Sequence, residues 1–177
     1  MIDVSLSKFF LNPKSVAIIG ASADPKKTSS RAQRFLVSHG YKGKIFPVNP
    51  NREEIFGLKC YPNLKSINEH IDHIFIAVDS NKIIEAIKDA ISKKVRCATI
   101  LSGGFSEAGS EGNDLEKHVF KIAKKGDLRI LGPNSIGLVN ISDNVVLSAN
   151  AMLELKDLKK GSLGVISHSG SLCLLYT

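Results

Sequence analysis

The sequence predicts an α/β fold, in which a doubly wound, mostly parallel sheet carries helices on both faces. Short apolar runs typical of strands buried on both sides alternate with amphipathic segments of helical period. Three of these runs end in glycine-containing turns, and the carboxyl ends of parallel strands are where such sheets bind ligands. The pattern therefore predicts one open sheet with a binding site along one edge.

The elements can be placed in order along the chain. Strands are predicted at residues 15–21, 44–49, 73–78, 97–101 and 128–131. Helices are predicted at residues 29–39, 81–94 and 114–125, each with an apolar stripe at helical spacing. Pro47 lacks a backbone donor, so we expect the second strand to lie towards an edge of the sheet or to contain a local break. Residues 140–160 are polar and are predicted to form a loop.

A last strand is predicted at residues 161–166, followed by a turn at 167–171 and the start of a helix. One interpretation is that residues 1–145 form a binding domain, and that residues 146–177 are a linker and the first strand and helix start of a second domain. The other is that this strand completes the first sheet at its edge. The sequence favours neither interpretation.

Composition narrows the functional classes. The 177 residues suit one ordinary domain. The net charge is +7, but the lysines are scattered without an aromatic ladder or a basic helix, so no nucleic-acid partner is predicted. No run approaches the roughly 20 apolar residues of a membrane span, and the N-terminus lacks a signal-peptide pattern, which predicts a cytoplasmic protein without a membrane partner. Cys60, Cys97 and Cys173 are widely separated, which predicts free thiols and no metal site.

The turn after the first predicted strand has the features of a phosphate site. Gly20, Ala21 and Ser22 form a tight turn that opens a helix, and a helix start offers free N–H groups and a positive dipole end. Hydroxyl and cationic side chains follow and are the candidate binding residues: Lys26, Lys27, Thr28, Ser29 and Arg31. Only the first glycine of the dinucleotide pattern G-x-G-x-x-G is present, because Ser22 and Pro25 occupy the other two positions.

The end of the second predicted strand also argues against NAD. A NAD-binding domain places an acid there to hold the ribose hydroxyls, whereas this chain has Asn49, Pro50 and Arg52. An amide and a guanidinium can bind a ribose phosphate, which a carboxylate would repel. Because Glu53 and Glu54 follow closely, a shifted register would restore a NAD site, and this alternative stays open.

Six motifs, in order and spacing, resemble the CoA-binding domain of ADP-forming acyl-CoA synthetases, a domain similar to the alpha subunit of succinyl-CoA synthetase. They are Val-Ala-Ile-Ile-Gly-Ala-Ser at 16–22, Val-Asn-Pro at 48–50, Gly-Leu-Lys-Cys-Tyr-Pro at 57–62, Ser-Gly-Gly-Phe-Ser-Glu at 102–107, Gly-Pro-Asn-Ser-Ile-Gly at 132–137 and Ser-His-Ser-Gly at 167–170. The resemblance implies a Rossmann-like domain that holds the ADP half of coenzyme A. The enzyme it implies makes acyl-CoA, ADP and phosphate from an acid, CoA and ATP.

The resemblance also implies what this chain lacks. In the family the reaction passes through an acyl phosphate and a phosphorylated histidine in another domain, and no residue here matches that histidine. We therefore predict no catalytic residue in this chain. The expected partners are an ATP-grasp subunit or domain and a phosphohistidine-bearing domain, and a homo-oligomer is also considered. His168 stands where the family has Gln, and we predict only a turn role for it.

Further site residues come from the same resemblance. Ser102, Gly103 and Gly104 match a family turn that passes beside CoA, and Asn134 matches a residue that can orient a phosphate or thioester carbonyl. Val78 is followed by Asp79, where the family often has proline, and a carboxylate there is expected to weaken CoA binding. The charge of Glu107 is assigned to helix entry.

Two other functions are weighed beside this one. The first is a free-standing CoA-responsive module that regulates a partner protein. The second, less favoured, is an NAD(P)-dependent oxidoreductase. On the main hypothesis, the chain binds CoA but does not catalyse the ligase reaction by itself.

Overall fold

The computed structural model describes residues 4–155 and 157–167. Its helices are α1 (Val4–Leu11), α2 (Thr28–Ser38), α3 (Ile83–Ser92) and α4 (Ser110–Lys125). Its strands are β1 (Ser15–Ile19), β2 (Lys44–Val48), β3 (Glu54–Ile55), β4 (Leu58–Lys59), β5 (His73–Ile76), β6 (Cys97–Ile100), β7 (Arg129–Leu131), β8 (Gly137–Asn140) and β9 (Val145–Ser148). The predicted alternation of strands and helices up to residue 131 is thereby confirmed.

Five strands form a parallel sheet in the order β2-β1-β5-β6-β7. The chain runs outward from β1 to β2, then crosses back over β1 and continues in the other direction through β5. Ile19 at the end of β1 therefore pairs with Val48 on one side and with Ile76 on the other. This reversal creates a crevice at the carboxyl ends of β1 and β5. The predicted α/β, Rossmann-like fold class is confirmed.

The second strand lies at the edge of the sheet, as its proline predicts. Pro47 pairs with Ile18 of β1, and its carbonyl accepts a hydrogen bond of 2.9 Å from the backbone N–H of Tyr61. An edge strand needs donors on one side only, so the absent N–H of Pro47 leaves no ladder bond unmade in the sheet.

The hydrophobic core has two layers, one on each face of the sheet. Alternate residues of β1 divide between them, with Ala17 in the layer beneath α3 and α4, and with Val16 and Ile18 in the layer beneath α2. The apolar stripes predicted for the helices supply both layers. Their fully or nearly fully buried members are Ala32, Phe35, Leu36, Ile83, Ile87, Ala90, Val119 and Ala123.

The polar loop predicted at residues 140–160 is wrong in part, because residues 145–148 form a strand. β8 and β9 pair as an antiparallel hairpin, and every residue of β9 is buried. Val145 and Leu147 pack beneath α2, so the core on this face extends to Ala149. This short apolar run is surrounded by Asn, Ser and Asp residues, so the local sequence resembles a polar loop. The residues that bury it come from distant parts of the chain and meet it only in the folded protein. A second domain beyond this hairpin stays a prediction.

The strand predicted at residues 161–166 is not formed. Within the described part of the chain these residues have no strand partner, and Leu163, Val165 and Ile166 are 87%, 74% and 103% exposed. A strand requires a neighbour with which to exchange hydrogen bonds. From His168 onward, the following turn and the helix start lie outside the described residues.

Helix α1 and the small β3-β4 hairpin have no counterpart in the sequence prediction. Helix α1 covers the amino end of β5, where the carbonyl of Phe9 lies 3.0 Å from Nδ1 of His73. The other ring nitrogen of His73 lies 2.8 Å from Oγ1 of Thr99. His73 is fully buried, and this burial lowers its pKa to about 4. Among the described helices, none has the length and apolar character required to cross a bilayer.

Candidate functional site

A pocket of about 660 Å³ opens at the carboxyl edge of the sheet. Three walls line it, namely residues 26–29 at the start of α2, residues 77–80 after β5 and residues 101–103 after β6. These segments flank the point where the strand order reverses, which is the usual ligand position in open α/β sheets. Topology alone therefore makes this pocket the candidate site.

The turn after β1 fits closely against the second wall. Gly20 has φ +83°, and a Cβ atom added to it would lie 2.4 Å from the carbonyl oxygen of Ala77. The backbone N–H of Gly20 donates to the carbonyl of Val48 at 3.0 Å. Both the left-handed backbone and the close approach require glycine at this position. The turn thereby fixes the spacing between the start of α2 and the end of β5.

A chain of local hydrogen bonds shapes the loop that leads into α2. The hydroxyl of Ser22 accepts from the backbone N–H of Asp24 at 3.1 Å, and the carboxylate of Asp24 accepts from the N–H of Lys26 at 2.9 Å. The N–H of Lys27 donates to the carbonyl of Asp24 at 3.1 Å. Ser22 thus shapes the loop and is not among the residues that line the pocket.

The start of α2 presents unpaired donors to the pocket. Lys27 occupies the N-cap position and supplies no side-chain cap. The backbone N–H groups of Thr28 and Ser29 belong to the first turn, which has no intrahelical acceptors. The side chains of Lys26 and Lys27 are exposed beside them. Together they form a cationic, donor-rich wall suited to a phosphate group.

The third wall is held by the turn after β6. The hydroxyl of Ser102 donates to the carbonyl of Val78, which ties this wall to the second one. The N–H of Asn134, in the turn after β7, donates to the carbonyl of Ser102 at 3.0 Å. A Cβ atom added to Gly103 would lie 3.7 Å from Oδ1 of Asn134, so this amide lies at the margin of the pocket.

Glu107 has a role that the sequence did not indicate. Its carboxylate is hydrogen-bonded by the backbone N–H groups of Glu107, Gly104 and Phe105, which together lower its pKa. The bond from the N–H of Gly104 is 2.6 Å long. Glu107 therefore secures the Gly103–Gly104 turn instead of merely supplying charge at a helix entry.

Asp79 places an exposed carboxylate on the second wall. Its backbone carbonyl accepts from the N–H of Lys82 at 2.9 Å, but its side chain does not cap the short turn that follows. Among the described residues, no ion pair of Asp79 is observed. Asp79 therefore adds a negative charge to the lining of the pocket.

The structure places the sequence-predicted residues in three groups. Those that line the pocket are Lys26, Lys27, Thr28, Ser29, Val78, Ser102 and Gly103. Those that shape its turns are Gly20, Ala21, Ser22, Gly104 and Asn134. The remaining four, Arg31, Asn49, Pro50 and Arg52, do not line it.

The side chains of two of these four, Arg31 and Asn49, form hydrogen bonds elsewhere. The guanidinium of Arg31 donates to the carbonyl of Ala149 at 3.0 Å, which ties α2 to the end of β9. The amide of Asn49 donates to the carbonyl of Ala21 at 2.8 Å and accepts from the N–H of Asn51 at 2.9 Å. Asn49 therefore braces the turn after β1. Sequence reasoning missed Ala77, Ser80 and Leu101 as lining residues, although Ala77 and Leu101 lie at the carboxyl ends of predicted strands and Ser80 follows one.

The cysteines lie away from this chemistry. Cys60 and Cys97 are free and buried, as the sequence predicts for these two. Burial raises the pKa of Cys97 to about 12, so its thiol stays protonated at neutral pH. Cys173 lies outside the described residues. In the part of the chain that the structure describes, no group of three His, Cys, Asp or Glu side chains has the geometry to hold a metal ion.

Comparison with known proteins decides the family. A family model described as CoA binding domain matches residues 14–141, which is most of the chain. The chain belongs to this CoA-binding domain family. The family that the six motifs indicate is thereby confirmed.

This CoA-binding domain is similar to parts of longer enzymes. It is 40% identical over 158 residues to the ADP-forming acetate–CoA ligase II of Archaeoglobus fulgidus, covering 89% of this chain and 23% of that protein. It is 37% identical over 164 residues to the alpha subunit of ADP-forming acetate–CoA ligase II of Pyrococcus furiosus, covering 93% of this chain and 35% of the subunit. The domain thus spans about a quarter to a third of the length of these relatives.

A solved structure agrees with the fold. The dinucleotide-forming acetyl-coenzyme A synthetase 1 of Ca. Korarchaeum cryptofilum, in complex with phosphate and ADP, superposes with a TM-score of 0.88 at 34% identity. The match covers 96% of this chain and 35% of that chain. The CoA-binding domain described here is therefore of the kind found in ADP-forming acyl-CoA synthetases.

Proposed function

We propose that this chain binds coenzyme A in the pocket at the carboxyl edge of the sheet, as the CoA-binding part of an ADP-forming acyl-CoA synthetase. The observation that carries this proposal is the start of α2, which opens into the pocket beside Lys26 and Lys27. Free N–H groups, a positive dipole end and two ammonium groups together suit the pyrophosphate of CoA.

The remaining contacts follow from the shape of the pocket. The hydroxyls of Thr28 and Ser29 supply further donors to the pyrophosphate. Val78 and Leu101 offer apolar surface to the parts of CoA that carry no charge. Arg52, exposed in the loop beyond β2, is the residue we propose for the ribose 3′-phosphate, while Asn49 holds the turn in place. Asn134 lies at the margin and is proposed to orient the reacting group.

The proposed enzyme converts a carboxylic acid, CoA and ATP into acyl-CoA, ADP and phosphate. In this scheme the chain holds and orients CoA, while an ATP-grasp part and a phosphohistidine-bearing part supply the phosphoryl chemistry. No catalytic residue is assigned to this chain. The similarity to ligase subunits and domains supports this function over a free-standing regulatory module. The incomplete glycine pattern after β1 argues against an NAD(P)-dependent oxidoreductase.

Calorimetric titration of the chain with CoA, dephospho-CoA and NAD tests the proposal. We expect CoA to bind at one site, dephospho-CoA to bind more weakly because it lacks the 3′-phosphate, and NAD to bind least. Replacing Arg52 with alanine is expected to bring CoA and dephospho-CoA to similar affinities, whereas replacing Lys42, exposed before β2, changes neither. Tight binding of NAD, or no binding of any of the three, would contradict the proposal.

A further inference from the structure

We infer that Asp79 makes this pocket select a diphosphate diester over a nucleoside triphosphate. The inference rests on the proposed function, because it takes CoA as the ligand of the same pocket. Beyond that function, it identifies the competing nucleotide that the pocket excludes and the residue that excludes it.

The charges that line the pocket come from three side chains. Lys26 and Lys27 stand on the wall at the start of α2, and Asp79 stands on the wall that follows β5. The two lysines and the helix start match the two negative charges of a diphosphate diester. The carboxylate of Asp79 offsets part of the positive charge of Lys26 and Lys27, so the net formal charge of the lining side chains is lower than that of the two lysines alone. The pocket thus has a cationic side and an anionic side.

In the part of the chain that the structure describes, no contact assigns the carboxylate of Asp79 a structural role. Only its backbone carbonyl takes part in the turn that follows, through the N–H of Lys82. The side chain is exposed, caps no helix and, within the described residues, forms no observed ion pair. A charge that the fold does not use, on the wall of a ligand pocket, acts on what enters the pocket.

The two classes of ligand differ in what lies beyond the diphosphate. In CoA the diphosphate is esterified on both sides, to a ribose and to a pantetheine arm that carries a hydroxyl and amides. The pantetheine arm is neutral, and a carboxylate can accept hydrogen bonds from its O–H and N–H groups, while the charged 3′-phosphate lies on the ribose at the other end of the diphosphate. In ATP a third phosphate with up to two negative charges occupies that place. In the proposed arrangement the diphosphate lies at the start of α2 and this third phosphate lies on the side of the pocket that Asp79 lines, where like charges at short range repel.

This selection matters for the proposed enzyme because ATP is a substrate of the same reaction. A pocket built only from lysines and a helix start would accept any polyphosphate. Asp79 thereby keeps the CoA pocket free of the nucleotide that the ATP-grasp part consumes.

Paired titrations of the wild-type chain and the Asp79→Asn variant with CoA and with ATP test the inference. The wild type is expected to bind CoA at least about tenfold more tightly than ATP, a difference of about 1.4 kcal/mol. In Asp79→Asn the ATP affinity should rise about tenfold while the CoA affinity rises less than about threefold, because only ATP brings a phosphate near residue 79. Asp79→Ser serves as a second variant should the first fold poorly.

The matched control is Asp127→Asn. It removes an exposed carboxylate just before β7, at the amino end of the strands, where Asp127 forms an ion pair with Arg96 at 3.3 Å, and asparagine tolerates the φ of +54° at that position. We expect the ratio of CoA to ATP affinity to be unchanged in this variant. A wild type that binds no CoA overturns the proposed function, and the inference with it. If the wild type binds CoA, and both Asp79 variants have the same ratio of CoA to ATP affinity as the wild type, the inference alone is overturned.

Discussion

The backbone of Gly20 lies directly against the carbonyl oxygen of Ala77, so closely that an added Cβ atom would be 2.4 Å from it. Gly20 begins the turn after β1, and Ala77 follows β5, which pairs with β1 on the side away from β2. This contact sets the width of the crevice in which the ligand pocket lies.

Replacing Gly20 with alanine is expected to lower the free energy of unfolding by roughly 3 kcal/mol, from the left-handed backbone and the clash with Ala77. Gly40→Ala is the matched control, because Gly40 has a similar φ of +76° but no atom within 4 Å of the added Cβ. It should cost about 1 kcal/mol, for the backbone alone. Urea unfolding of both variants measures the difference, and equal costs would show that the contact with Ala77 does not constrain the fold.

Asn49 is expected to act on CoA binding through the turn and not by contact. Asn49→Ala removes the 2.8 Å hydrogen bond to the carbonyl of Ala21, which should cost about 1 kcal/mol of stability and weaken CoA binding a few-fold. Asn51→Ala, whose side chain is exposed two residues later, should change neither. Unfolding and titration of the two variants provide the test. Weaker CoA binding with unchanged stability would assign Asn49 to the ligand instead.

The buried His73 makes stability depend on pH. Its pKa in the folded chain is about 4, below the ordinary value of 6.5, because burial disfavours the charged ring. As pH falls below about 6.5, the unfolded chain takes up a proton that the folded chain refuses until about pH 4, so stability is lost across this window. The loss approaches about 1.4 kcal/mol per pH unit for this one group.

Unfolding free energies near pH 7 and near pH 5 check this expectation. The difference between the two should shrink in His73→Gln, which cannot titrate, whatever that variant costs at either pH. His118→Gln, exposed on α4, should keep the full difference. An unchanged difference in His73→Gln would mean that other groups produce the acid sensitivity.

The sequence was sufficient for the central sheet because its signals are local. The run from Val16 to Ile19 is apolar throughout, as a doubly covered strand requires, and Pro47 indicated the edge strand. The helical spacing of Ile83 and Ile87 likewise predicts a buried helix face, and both side chains are buried. Each of these features is encoded within a few residues.

What the sequence could not show depends on distant partners. The sequence predicts Arg31 as a phosphate ligand, and in the structure its guanidinium donates to the carbonyl of Ala149, at a sequence separation of 118 residues. The carbonyl of Ala149 reaches Arg31 only because β9 packs beneath α2. The polar residues around β9 predict a loop there instead of a strand. Glu107 holds its turn through backbone N–H groups, which no side-chain pattern reveals.

The central claim is that the start of α2, with Lys26 and Lys27, holds the pyrophosphate of CoA. Titration of CoA against the double variant Lys26→Ala, Lys27→Ala at low and at high salt tests it most directly, with Lys124→Ala, Lys125→Ala at the end of α4 as the control of equal charge. We predict a loss of affinity of at least about tenfold and a weaker salt dependence in the first variant alone. Equal affinity in the two double variants would contradict the account.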